Sequence, residues 1–146
     1  MRSDAPARAA AAFPAEAMVV PIATAGDIVT ARQQGRALAA RIGFSGSDLT
    51  VVATAISELA RNILEYATAG TITLDLAQRG SRVGIVIEAA DQGPGIPDVA
   101  RAMQDGYSTG KGLGLGLPGV RRLMDEFELA SEPGRGTTVT AKKWVV

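Results

Sequence analysis

A chain of 146 residues with 47% apolar and 21% charged side chains has the size and balance of one folded domain, not of a disordered segment. Its 15 Lys and Arg are offset by 15 Asp and Glu, a neutrality that speaks against nucleic-acid binding, which a basic excess normally marks. Cys and His are both absent, which excludes disulfides, thiolate metal sites and phosphohistidine within this chain and fits a reducing, cytoplasmic setting.

Residues 1–17 are rich in Ala and Pro and interrupted by Asp4, Pro14 and Glu16. They make a poor signal peptide and are expected to form a flexible tail ahead of a single domain over 18–146. No apolar run approaches the roughly 18–20 residues that a bilayer crossing needs, so no membrane association is expected. Met18–Ala23 reads as a short strand, and Pro21 suggests an edge position. The stripe Ile28, Ala31, Gly35, Leu38 and Ile42 predicts a helix from about Asp27 to Ile42, ended by Gly43. Ser47 or Asp48 is expected to cap a second helix running to about Ala67, with Leu49, Val52, Ile56, Leu59 and Ile63 on its buried side.

Thr71–Leu76 and Val83–Asp91 flank "QRGSR" and predict a hairpin. A short helix is expected around Asp98–Gln104, and another from Gly119 to about Glu126, with Pro118 in its first turn. A closing hairpin is expected to turn at Pro133–Gly136. The order predicts an α+β fold in two layers, with helices packed on one face of a mixed, mainly antiparallel sheet.

Three local patterns carry chemistry. "GKGLGLGLPG" (110–119) places five glycines in ten residues, a costly density unless a ligand needs the bare backbone. It is not a P-loop, because Gly106 and Gly110 stand too close and Lys111 is followed by Gly112. Gly114, Gly116 and Gly119 satisfy G-x-G-x-x-G, but a loop precedes them where a dinucleotide fingerprint requires a strand. In "EAADQGPGIPD", Asp91 ends a strand ahead of Gly93 and Gly95. A carboxylate there suits an exocyclic amine such as that of adenine, and equally an ordinary Asx turn. Glu58 and Asn62 stand four apart and share one helix face. That pair suits Mg²⁺ coordination or proton abstraction from a hydroxyl, and equally a solvated face.

Taken in order, Glu58-x-x-x-Asn62, Asp91-x-Gly93-x-Gly95, Gly112-x-Gly114-x-Gly116-Leu117 and Gly136-Thr137 resemble the ATP-binding (Bergerat) fold of the gyrase, Hsp90, histidine-kinase and MutL superfamily, over roughly Asp27 to Val146. Within it, "TAISELARNI", "DQGPGIPD" and "GLPGVRRLMDEF" look closest to the RsbT-type switch serine/threonine kinases of bacterial stressosomes. The resemblance implies ATP and Mg²⁺ as cofactors, with Glu58 as general base and Asn62 as metal ligand. It implies that Asp91 accepts from the adenine amine, assisted through water by Thr137, and that Gly93 and Gly95 admit the purine. Gly112, Gly114 and Gly116, followed by Leu117, would present backbone N–H groups to the phosphates at a helix start. Lys111 is a further candidate phosphate contact, whereas Arg121 and Arg122 are expected on an exposed helix face. STAS-domain scaffold or antagonist proteins would be the substrates and a PP2C-type phosphatase the switching partner. The alternative within the superfamily is an anti-sigma factor or nucleotide-gated binding module. Glu58 favours the kinase, since a pure binding module needs no base.

Overall fold

Capping fixes where the first helix begins. Thr24 Oγ1 accepts from the Asp27 N–H at 3.3 Å, while Asp27 Oδ2 accepts from the N–H groups of Ala23 and Thr24 at 2.8 and 3.0 Å. The exchange satisfies donors that a first helical turn leaves unpaired. The Ala23 N–H, followed by that of Thr24, holds the Asp27 carboxyl below its ordinary value. Helix α1 (Ala25–Ile42) therefore starts two residues before the expected Asp27. It ends at Gly43, which has φ +127° and donates its N–H to Ala39 O.

The computed structural model describes residues 17–96, 99, 103 and 116–146. Helix α2 (Ser47–Ala67) follows Gly46, whose φ of +59° turns the chain without a side-chain cap, in place of the expected Ser47 or Asp48 cap. Strand β1 (Met18–Ile22) precedes both helices, and β2 (Gly70–Arg79) and β3 (Arg82–Asp91) form the hairpin after them. Those two strands run longer than their apolar alternation implied and turn tightly at Gly80–Ser81. Most of the expected helix over 98–104 lies outside the described residues; of the two that are described, Met103 N–H donates to Val99 O at 3.1 Å.

Helix α3 (Gly116–Leu123) starts earlier than Gly119 and ends short of Glu126. Glu126 instead opens strand β4 (Glu126–Glu132), because it pairs with Lys142 of β5 (Gly136–Trp144) and Asp125 N–H already donates to Lys142 O at 2.9 Å. That long-range pairing overrides the local helical pattern. The sheet order is β1-β2-β3-β5-β4, and all four pairings are antiparallel. β1, with Pro21, is an edge strand as expected.

The core lies between this sheet and the helices. Ile72, Leu74, Ile85, Ile87 and Ala141 from one sheet face meet Leu38, Ile56, Leu59 and Val120 from the helices, all essentially inaccessible to water. Gly35 lets α1 approach α2 closely, since a Cβ there would overlap Ile56 Cδ1. At one end of the sheet the guanidinium groups of Arg79 and Arg82 lie 4.8 and 4.9 Å from the Trp144 ring centroid. Its indole N–H donates to Glu126 at 2.8 Å. The opposite end, where β3 finishes and β5 begins, holds Asp91. No helix among the described residues is long and apolar enough to cross a membrane.

Candidate functional site

Strand β3 delivers Asp91 to the sheet end, and its carboxylate organises the turn that follows. Oδ1 accepts from Gly93 N–H at 2.9 Å and from Thr137 N–H, the second residue of β5, at 3.2 Å. One oxygen thus joins two segments separated by 46 residues. Among the described residues Oδ2 has no hydrogen-bond partner, so it is the atom able to accept from a ligand. The Asx-type turn and the recognition role are compatible, since each uses a different oxygen.

The loop after Asp91 is tied down from below. Ile96 N–H donates to Ser131 Oγ at 2.7 Å, and Gly134 N–H donates to Pro94 O at 2.8 Å. Ser131 Oγ also lies 2.9 Å from Thr137 Oγ1, its register partner across β4–β5. The Thr137 hydroxyl is therefore engaged with Ser131, while its backbone N–H contacts Asp91 directly. Two glycines make this close packing possible. Gly95 has φ +81°, and a Cβ on it would overlap Glu132 O; Gly136 has φ +102°, and a Cβ on it would overlap Asp91 O. Both positions demand glycine on conformational and steric grounds.

Helix α2 supplies the second half. Glu58 is 8% exposed, and it and Ser57 are the buried polar side chains of the described core. Glu58 Oε2 accepts from Arg61 Nη1 at 2.7 Å, one turn along the helix, and Oε1 faces the Gly116 N–H that opens α3 at 3.5 Å. A carboxylate thus sits beside the positive end of a helix dipole, where it is electrostatically favoured. Asn62 is half-buried one turn beyond Glu58 and makes no hydrogen bond with its amide among the described residues.

The structure therefore joins Asp91, Gly93 and Thr137 in one hydrogen-bonded group and brings Glu58 to Gly116. Leu117 packs into the hydrophobic core at the start of α3. Arg121 and Arg122 lie on its exposed side, as expected. Lys111, Gly112 and Gly114 lie outside the described residues. Two contributors were not foreseen. Arg61 had a local signal, because Glu-x-x-Arg spacing makes an i,i+3 pair. Ser131 had none, because only β4–β5 pairing brings it to Thr137 and Ile96.

Comparison with known proteins places these features among relatives. The pattern of the histidine kinase-like ATPase domain matches residues 22–143. The serine/threonine-protein kinase RsbT of Bacillus subtilis (strain 168) is 55% identical over 127 residues, covering 86% of this chain and 95% of that protein. The anti-sigma F factor of Thermoanaerobacter sp. (strain X514) is 32% identical over 121 residues, covering 79% and 83% of the two chains. Among solved structures, the RsbU and RsbW domains of a Mycobacterium tuberculosis protein superpose with a TM-score of 0.62 at 26% identity, over 89% of this chain and 32% of that one.

Proposed function

Since this chain belongs to the histidine kinase-like ATPases, and within them to the RsbT-type serine/threonine-protein kinases, we propose that it transfers the γ-phosphoryl group of ATP to a Ser or Thr hydroxyl of STAS-domain scaffold or antagonist proteins. On this reading residues 18–146 act as one catalytic unit in the cytoplasm, and partner exchange releases the kinase to a PP2C-type phosphatase. The observation that carries the reading is Glu58, a buried carboxylate held by Arg61 and directed at the first N–H of α3. Phosphoryl transfer is mostly positioning and charge stabilisation, with a base orienting the nucleophile. Glu58 has the place for that base: it takes the proton as the acceptor oxygen bonds to phosphorus and the bond to the ADP oxygen breaks.

The residues present fit Mg–ATP. Asp91 Oδ2 is the acceptor for the adenine amine, with Thr137 supporting it, and the turn carrying Gly93 and Gly95 is where the purine enters. Asn62 offers the amide oxygen that a hard cation takes together with phosphate oxygens. When bound, Mg²⁺ neutralises charge on the phosphates. Gly112, Gly114 and Gly116, with Leu117 behind them and Lys111 ahead, form the phosphate-facing stretch in this proposal. The 55% identity to a kinase, against 32% to an anti-sigma factor, favours transfer over sigma binding alone.

The test mixes the purified protein with labelled ATP, Mg²⁺ and STAS-domain proteins of the same genome. Transfer is expected to fall by about 10²–10⁴-fold in Glu58→Ala with ATP binding retained. Asn62→Ala is expected to weaken Mg–ATP binding instead. Transfer at the wild-type rate by Glu58→Ala removes the base assignment.

A further inference from the structure

The two oxygens of the Glu58 carboxylate are held unequally. Oε2 accepts from Arg61 Nη1 at 2.7 Å, a short charge-assisted bond, whereas Oε1 meets the Gly116 N–H at 3.5 Å, the long limit for such a contact. Nothing within the glutamate enforces that difference. Its last torsion joins a tetrahedral to a planar carbon, a broad two-fold well in which the two oxygens exchange at little cost. Water is a poor substitute partner, because the Glu58 side chain is only 11% exposed. Arg61, 41% exposed, reaches it from one helical turn along α2. Its guanidinium is always charged and only donates, so it holds an oxygen without competing for a proton.

We propose that Arg61 is a positioning residue for phosphoryl transfer: by pinning Oε2 it fixes the carboxylate plane and makes Oε1 the oxygen that receives the proton, an inference that rests on the kinase reading above. Oε1 lies on the α3 side, facing Gly116, so the oxygen selected is the one turned toward the phosphate-facing stretch. The long contact with Gly116 is the weaker of the two and gives way first. In the transfer step the O–H bond of the acceptor breaks and its proton passes to Oε1. The hydroxyl oxygen bonds to the γ-phosphorus, and the bond to the ADP oxygen breaks with its electron pair left on ADP. Oε2, now the carbonyl oxygen of a neutral acid, still accepts from Arg61. Without the arginine the carboxylate samples several orientations, and a misplacement of about 1 Å costs roughly 10²-fold in rate. Arg61 touches neither reactant in this scheme and acts through Glu58 alone.

The experiment is a double-mutant cycle on Glu58 and Arg61, read as single-turnover transfer to STAS-domain proteins of the same genome and as Mg–ATP affinity by titration calorimetry. Each variant is measured below its thermal midpoint. Arg61→Ala keeps a strong helix former on α2. It is expected to lower kcat by about 10–10²-fold, with KM for the acceptor and Mg–ATP affinity unchanged. Arg61→Lys supplies a charged donor without the fork and is expected to restore part of kcat. In the Glu58→Ala background Arg61→Ala is expected to cost nothing further, because the residue it positions is gone. An unchanged kcat in Arg61→Ala overturns the assignment and leaves the kinase standing. A further loss of transfer in the Glu58→Ala background, or a loss of Mg–ATP affinity in Arg61→Ala alone, places the guanidinium on the phosphates and also overturns it. A wild-type protein that binds Mg–ATP and transfers nothing to any of the STAS-domain proteins overturns the kinase reading, and the role of Arg61 falls with it.

Discussion

Asp91→Asn separates what this residue does for the fold from what it does for a ligand. Oδ1 accepts from Gly93 N–H and Thr137 N–H, and these two donors orient an asparagine with its oxygen toward them and its NH₂ at the position of Oδ2. Hydrogen bonds to a charged acceptor contribute about 1.5–3 kcal/mol, against about 0.5–1.5 for neutral pairs. The substitution therefore weakens two internal bonds by roughly 1 kcal/mol each, or about 2 kcal/mol of stability in all. At the ligand, an acceptor becomes a donor facing the adenine amine. Loss of one charge-assisted bond predicts an ATP affinity about 10–150-fold lower. Asp91→Ala is less informative, because it strands both N–H groups at about 1–3 kcal/mol each and threatens the fold itself. Urea unfolding gives the first quantity. Titration calorimetry with Mg–ATP and Mg–GTP gives the second, at a temperature where both proteins are folded. The wild type is expected to prefer ATP, and Asp91→Asn to lose that preference, since its NH₂ suits the 6-oxo group of guanine. Wild-type ATP affinity in Asp91→Asn, or equal affinities of the wild type for ATP and GTP, would refute the assignment.

Gly136→Ala combines a positive φ, worth roughly 1–2 kcal/mol, with overlap of the Asp91 carbonyl, worth about 1–3 kcal/mol. A loss of about 2–5 kcal/mol in denaturant unfolding is therefore expected. Gly80→Ala is the control: it shares the positive φ but meets open space, so equal losses in the two variants would show that the Asp91 overlap relaxes away. At the other end of the sheet, the Trp144 indole N–H and then Arg79 hold the Glu126 carboxyl below its ordinary 4.5. Because its folded value is depressed, the stability it contributes is complete above pH 4.5 and is lost as pH falls through the lower folded value. Glu126→Gln is expected to flatten the decline of the urea midpoint below about pH 4.5, and an unchanged acid slope would assign that decline to other carboxylates.

The sequence by itself indicated most of the element types and where three candidate residues stand on them. Helical spacing put Glu58 and Asn62 on one face of α2, strand alternation carried Asp91 to the end of β3, and Pro21 marked β1 as an edge. These are local signals, fixed by periodicity and by the covalent limits of Pro and Gly, and they are legible without knowing what packs where. Only the tertiary structure decided the rest. Glu126 left the helix pattern because Lys142 pairs with it, and Ser131 entered the site because β4 and β5 lie side by side. Hydrogen bonding and burial between segments far apart in the chain depend on which partner arrives, and no local window contains that partner.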